Sequence, residues 1–214
     1  MPPCRTTSPS SSTSSSCSPA ELQILGISGS LRGGSYNTML LRFAGGLLEA
    51  EGAELSIFDG LKRMPPYDAD DDGPDVAGAV THMRAAIGAS DAILFATPEY
   101  NSSIPGALKN AIDWLSRPIA TNVLRNKPVA VVGASTGMFG AVWAQSELRK
   151  VLAATGARVI EGDLPVGHAQ ERFDERGRLD EPELEQALAE ILRSLVEAAR
   201  RVPQQAAAAG SSLR

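Results

Sequence analysis

Cysteine is scarce in this chain, and its placement limits its use. The 214 residues contain two, Cys4 and Cys17, both in a Ser/Thr/Pro-rich start. Neither falls in the expected core, which argues against a disulfide-stapled scaffold, and a reducing, cytoplasmic setting fits. His82 and His168 stand far apart and no Cys/His cluster has metal-ligand spacing, which argues against a zinc site. Basic residues are outnumbered, 20 Lys+Arg against 25 Asp+Glu, for a net charge of −5. No basic excess is left to neutralise the phosphates of a nucleic acid. No run of about 18 apolar residues occurs, so no membrane-spanning helix is expected. Residues 1–20 lack the apolar segment of a secretory signal.

An ordinary globular core is what remains. Apolar residues make up 43 % of the chain, enough for one sizeable domain. The polar stretch 1–20 and the Gln/Ala/Ser-rich stretch 203–214 read as disordered tails around a domain at 21–202.

Within that domain, short apolar runs alternate with segments of helical spacing. Leu22–Ile27, Ala53–Phe58, Ala92–Ala96, Pro128–Val132 and Ala157–Ile160 read as strands. Asn37–Glu51, Val76–Gly88, Pro105–Leu115, Phe139–Ala154 and Glu183–Val202 read as helices, and 61–75, with its prolines and three consecutive aspartates, as a surface loop. Five such alternations predict an α/β domain: a parallel sheet with helices on both faces. Ligands of such sheets bind beyond the carboxyl ends of the strands.

Three loops follow strands there. The first, Gly29-Ser-Leu-Arg-Gly-Gly-Ser-Tyr-Asn37, empties a strand into a helix through glycines, hydroxyls and Arg32. Backbone N–H groups at a helix start suit an anion, and Arg32 adds a charged fork. The spacing matches neither G-x-G-x-x-G nor G-x-x-x-x-G-K-[ST], so a terminal phosphate suits it better than a bridging pyrophosphate. The second loop, Pro98-Glu99-Tyr100-Asn101, offers an acceptor, a ring and an amide, as a flat heterocycle requires. Taken singly, Tyr100 reads more readily as a core-edge aromatic and Asn101 as a turn former than as ligand contacts; it is the meeting of the loops at one sheet edge that favours the ligand. The third is Ser135–Gly140, again a Gly-containing loop.

The stretch from Pro98 to Arg117, PEYNSSIPGALKNAIDWLSR, together with GSLRGGSYN at 29–37, resembles the NADPH-dependent FMN reductase family, which includes quinone and chromate reductases. The resemblance runs from about Leu22 to about Val202. It implies a flavodoxin-like sandwich with a five-stranded parallel sheet in the order 2-1-3-4-5, non-covalent FMN, NADPH or NADH as co-substrate, and a homodimer or homotetramer. Helix faces around 106–117 and 139–154 are the expected interface.

Position by position, the resemblance implies that Ser30, Arg32, Ser35 and Asn37 hold the FMN phosphate, with backbone from Leu31 to Tyr36. Pro98, Glu99, Tyr100 and Asn101 line the isoalloxazine, and Ser135, Thr136 and Gly137 meet its other side, where the N–H groups of Ser135–Gly137 are expected to stabilise negative charge growing on the reduced ring. No side chain is expected to act as acid or base, since the flavin carries the hydride. Similar proteins often read Gly-Gly-x-Arg after the third loop, where this chain has Gly140-Ala141-Val142-Trp143. Trp143 is either helix packing or a replacement contact. The expected activity is ping-pong hydride transfer from NAD(P)H to a small acceptor. The alternative is a flavodoxin-type electron carrier or a non-catalytic flavin sensor.

Overall fold

The computed structural model describes residues 21–210, with side chains to Arg201. The expected tail at 1–20, with both cysteines, and residues 211–214 lie outside the described residues. Strands β1 (Leu22–Ser28), β2 (Ala53–Ile57), β3 (Ala92–Thr97) and β4 (Pro128–Ala134) alternate with helices α1 (Tyr36–Ala50), α2 (Gly78–Ala89) and α3 (Gly106–Leu115). After β4 come α4 (Val142–Ala154), β5 (Arg158–Val159), β6 (Pro165–Val166), the short α5 (Ala169–Arg172) and α6 (Pro182–Gly210). The sheet is parallel in the order β2-β1-β3-β4-β5.

β3 and β4 are buried along their whole length, as strands covered on both faces must be. Side chains alternate between two cores with the period of two that a pleated strand imposes. Ile24, Leu94, Ala96, Ala130 and Val132 pack with Leu40, Leu41 and Leu48 of α1 and Leu188, Leu192 and Leu195 of α6. Leu25, Ile27, Ile93, Phe95, Val129 and Val131 pack with Met83 and Ile87 of α2, Leu108 and Ile112 of α3, and Leu148 and Leu152 of α4. Each fully buried Leu, Ile or Phe contributes about 1.5–3 kcal/mol. Ser35 caps α1, its hydroxyl accepting from the N–H groups of Asn37 and Thr38, and Gly52 ends it at φ +72°.

The expected five-stranded sheet has six strands, because its fifth position is split. β5 pairs the lower end of β4 (Pro128, Val129) and β6 pairs the upper end (Gly133, Ala134). Gln145 of α4, fully buried, fills the break. Its Nε2 donates to the carbonyls of Leu164 and Gly140, both at 3.0 Å, and its Oε1 accepts from the Leu164 N–H at 3.2 Å. Pieces of two residues leave no periodic signature, so the sequence pattern shows only the first.

Two boundaries move for stated reasons, and one expected loop gains a turn. α4 begins at Val142 rather than Phe139, because Gly140 (φ +58°) and Ala141 (φ +61°) are both left-handed and cannot start a right-handed helix. At Gly140 a Cβ would stand 2.3 Å from the Pro165 carbonyl carbon, so only glycine fits. α6 runs on past the expected end at Val202 to Gly210, through alanines 206–209, the residue of highest helix propensity. Within the expected loop at 61–75, Leu61–Arg63 makes one 3₁₀ turn.

Gln145→Leu keeps the volume but strands the Leu164 N–H and the Gly140 carbonyl, while the Leu164 carbonyl keeps the Gly133 and Val166 N–H groups. We expect it to cost about 2–4 kcal/mol, since each buried unsatisfied group costs about 1–3 kcal/mol before relaxation. A urea-unfolding midpoint unchanged from wild type would show that the break needs no side-chain bridge.

Candidate active site

Because β1, β3 and β4 are parallel, the three loops that follow them share one edge of the sheet. They are tied together by specific bonds. Gly29 N–H donates to the Ala96 carbonyl at 2.8 Å, and a Cβ at Gly29 would come within 2.9 Å of the Leu108 side chain and 3.3 Å of Pro98. The absent side chain lets the first loop lie against the second. Asn37, buried at 3 % exposure, joins the first loop to the third: its Nδ2 donates to the Ala134 carbonyl at 2.8 Å and its Oδ1 accepts from the Ala134 N–H at 3.0 Å. Glu99 joins the second loop to α4, one carboxylate oxygen accepting from Trp143 N–H and Ala144 N–H, both at 3.1 Å. Those are orphan donors of the first turn, which Ala141 has no side chain to cap. The carboxylate also sits where the helix dipole favours negative charge.

The loops enclose a cavity of about 180 Å³ lined by Ser30, Arg32, Ser35, Tyr36, Asn37, Pro98, Glu99, Tyr100, Ala134, Ser135 and Thr136. Larger hollows, about 280 Å³ between α3 and α4 and about 440 Å³ between the acidic loop and Trp114, lie against the flank of α3 and away from these loops. Among the described residues, the N–H groups of Leu31, Gly33, Gly34 and Ser35 have no partner, so the first loop presents a row of free donors. Arg32 folds over that row, its guanidinium donating to the Gly34 carbonyl at 3.0 Å.

Some expected residues stand elsewhere or are already engaged. Asn37 lines the cavity, but both polar atoms of its amide serve Ala134, so it ties the loops instead of offering its amide outward. Asn101 (φ +52°) and Ser102 (φ +59°) form the corner of a tight turn in which Tyr100 and Ser103 exchange backbone bonds of 3.0 and 3.2 Å. Asn101 is thus a turn former, outside the cavity lining. Leu31 is exposed and Gly137 is folded back, its N–H donating to Ser135 Oγ at 3.1 Å and its carbonyl accepting from His168 N–H at 3.1 Å. The Ser135 N–H donates to the Val166 carbonyl at 3.0 Å. The expected row of donors at Ser135–Gly137 therefore reduces, among the described residues, to the Thr136 N–H. Sequence reading missed the Ala134 backbone as a site component; the signal was an Asn in the first turn of a helix, a poor helix former there without a partner.

A model of the NADPH-dependent FMN reductase family matches residues 22–171. The chain belongs to that family. This reductase is 40 % identical over 176 residues to an NAD(P)H-dependent FMN reductase of Pseudomonas aeruginosa, covering 82 % of this chain and 94 % of that protein. It is 38 % identical over 162 residues to a 2-hydroxy-1,4-benzoquinone reductase of a Burkholderia species, covering 74 % of this chain and 85 % of the relative. Among solved structures, the reductase is similar to FerB, a flavoenzyme NAD(P)H:(acceptor) oxidoreductase of Paracoccus denitrificans, with a TM-score of 0.72, 31 % identity, and 84 % and 98 % of the two chains covered. A flavodoxin of Pseudomonas aeruginosa, at 19 % identity and a TM-score of 0.51, with 81 % and 99 % covered, shares the fold alone.

Asn37→Ala removes two buried hydrogen bonds and leaves the Ala134 N–H and carbonyl unpaired. We expect a loss of about 2–4 kcal/mol, seen as a Tm about 5–15 °C lower for a domain of this size. A melt within 1–2 °C of wild type, about the scatter of a surface change, would remove the tie from its central place.

Proposed function

We propose that this protein is an NAD(P)H-dependent FMN oxidoreductase that passes two electrons from NAD(P)H to a small quinone-like acceptor. The observation that carries the reading is the row of unpartnered N–H donors on the first loop under Arg32, at the rim that the other two loops share. A phosphate monoester with no bridging group suits that row, and FMN ends in one. The cavity, about 180 Å³, is smaller than the roughly 300–1,000 Å³ of enclosed ligand sites. A molecule of the size of FMN must extend from it over the exposed rim, where Tyr100 stands at 49 % exposure. The residues present therefore fit the cofactor.

When bound, FMN supplies hydride acceptance from NAD(P)H and delivery to the oxidant. The balance is NAD(P)H, one proton and a quinone giving NAD(P)⁺ and a hydroquinone. The residues of this chain bind and orient. Arg32 and the N–H groups of Leu31, Gly33, Gly34 and Ser35 would hold the phosphate, with the hydroxyls of Ser30 and Ser35 beside them. Pro98, Glu99 and Tyr100 would border the ring system on one side and Ser135 and Thr136 on the other. Glu99 is held by α4, so its position is set before any ligand arrives, and Asn37 sets the spacing between the first and third loops. Proximity then supplies the acceleration, which requires reacting atoms about 3–3.5 Å apart. One rim open to solvent serves both substrates in turn, and NAD(P)⁺ leaves before the acceptor enters. A homodimer or homotetramer belongs to the same reading.

Three measurements test it. The purified protein should take up FMN, and its visible bands should bleach anaerobically with NADPH or NADH and return with a quinone. A protein that binds FMN but oxidises no NAD(P)H would instead be an electron carrier. Initial rates with both substrates varied should give parallel double-reciprocal lines, and intersecting lines would rule out the shared rim. Arg32→Ala should weaken FMN binding about tenfold or more, since a charge-assisted hydrogen bond is worth roughly 1.5–3 kcal/mol and about 1.4 kcal/mol is one decade. An unchanged flavin-fluorescence titration would take Arg32 out of the site.

A further inference from the structure

Two hydroxyl groups that take no part in the cavity wall stand at the base of the first loop. Ser28 ends β1 and is buried at 8 % exposure. Its Oγ accepts from the Ser30 N–H at 3.3 Å and from the hydroxyl of Thr38, in the first turn of α1, at 3.1 Å. The Thr38 N–H donates to Ser35 Oγ, the cap of that helix, at 3.4 Å. Thr38 therefore holds both ends of the loop, the strand through its hydroxyl and the helix cap through its N–H. Neither Ser28 nor Thr38 lines the cavity.

The span between them needs such a hold. Residues 29–35 include Gly29, Gly33 and Gly34. A Cβ at Gly33 or Gly34 would meet nothing within 4 Å, so packing does not restrain that stretch. Glycine loses more chain freedom on ordering than any other residue. Yet the N–H groups of Leu31, Gly33, Gly34 and Ser35, unpartnered among the described residues, must meet an anion as one set. The chemistry of the hold suits that anion. A carboxylate at the base of the loop would repel a phosphate, whereas two hydroxyls fix the backbone and add no charge.

We propose that the Ser28–Thr38 hydroxyl pair is a clasp that shapes the first loop for a phosphate monoester, with Thr38 as the positioning residue. This rests on the reductase reading, in which the monoester is the tail of FMN, and adds to it residues that act without touching the ligand. A loop already in shape loses little freedom when the anion arrives. Without the clasp only the molecules whose donors are aligned can bind, and affinity falls by that fraction. The effect stays at the phosphate end, because the second loop is held separately, by Glu99 on α4 and by its own turn at Tyr100 and Ser103.

Flavin-free protein titrated with FMN and with riboflavin, which lacks only the phosphate, tests the clasp. Thr38→Val keeps the side-chain shape and removes the hydroxyl. We expect it to bind FMN about fivefold more weakly, or about 1 kcal/mol, with riboflavin affinity unchanged. Thr38→Ser should restore FMN binding. Ser28→Ala/Thr38→Val should bind FMN as Ser28→Ala does, because the two hydroxyls form one interaction. A wild-type preference for FMN over riboflavin that Thr38→Val leaves intact would overturn the clasp alone. So would an equal fall for both flavins, the mark of a general packing role, or losses that add in the double variant. Equal wild-type affinity for the two flavins would overturn the phosphate reading and the clasp with it. Should Thr38→Val fail to fold, Ser28→Ala decides the same comparison.

Discussion

The reciprocal pair of hydrogen bonds between the Asn37 amide and the Ala134 backbone is what makes three loops into one site. β1 and β4 are not neighbours; β3 lies between them. Their following loops would otherwise be related only through the sheet. The amide spans that gap in a buried setting, where an unpaired donor or acceptor is expensive and a satisfied pair is correspondingly rigid. Glu99 does the same for the second loop and α4. Both residues spend polar atoms on neighbouring backbone and so fix the positions of the loops around the cavity.

A division of labour follows. The first loop keeps its backbone donors free and its only cation folded close, which suits a permanent anionic ligand. The opposite rim keeps its backbone donors engaged, at Ser135 and Gly137, and exposes apolar rings. A polar clamp at one end and an uncharged open face at the other fit a cofactor held by its tail, with exchangeable partners at its working end.

Much of this was legible in the sequence because it rests on periodicity and on single residues. The buried runs of β3 and β4 showed as unbroken apolar segments, and helical spacing over 37–51 placed α1 within one residue of its bounds at Tyr36 and Ala50. The order of the sheet followed from the resemblance and agrees with the structure, apart from the sixth strand. What escaped depends on contacts between distant positions. Nothing near Gln145 announces that its amide completes a strand broken between residues 159 and 165. Asn37 and Glu99 were read as facing the ligand because their chemistry permits it. Their actual partners, 97 and 44 residues away, become neighbours only once the sheet has formed. The helix start at 139 failed for a local reason, the paired left-handed residues Gly140 and Ala141, of which only the first is the residue type that signals such a turn.

The divided fifth strand also shapes how the molecule meets its own kind in a crowded solution. An uninterrupted border strand offers a ladder of open peptide groups on which another chain can build. Here β5 and β6 are two residues each, with a bend between them in which Gln145 holds the Leu164 peptide groups and Arg149 the Gly162 carbonyl. Neither fragment is long enough to template a foreign strand, and Arg158, Glu161 and Asp163 add charge along the same border, so this edge of the sheet resists edge-to-edge aggregation.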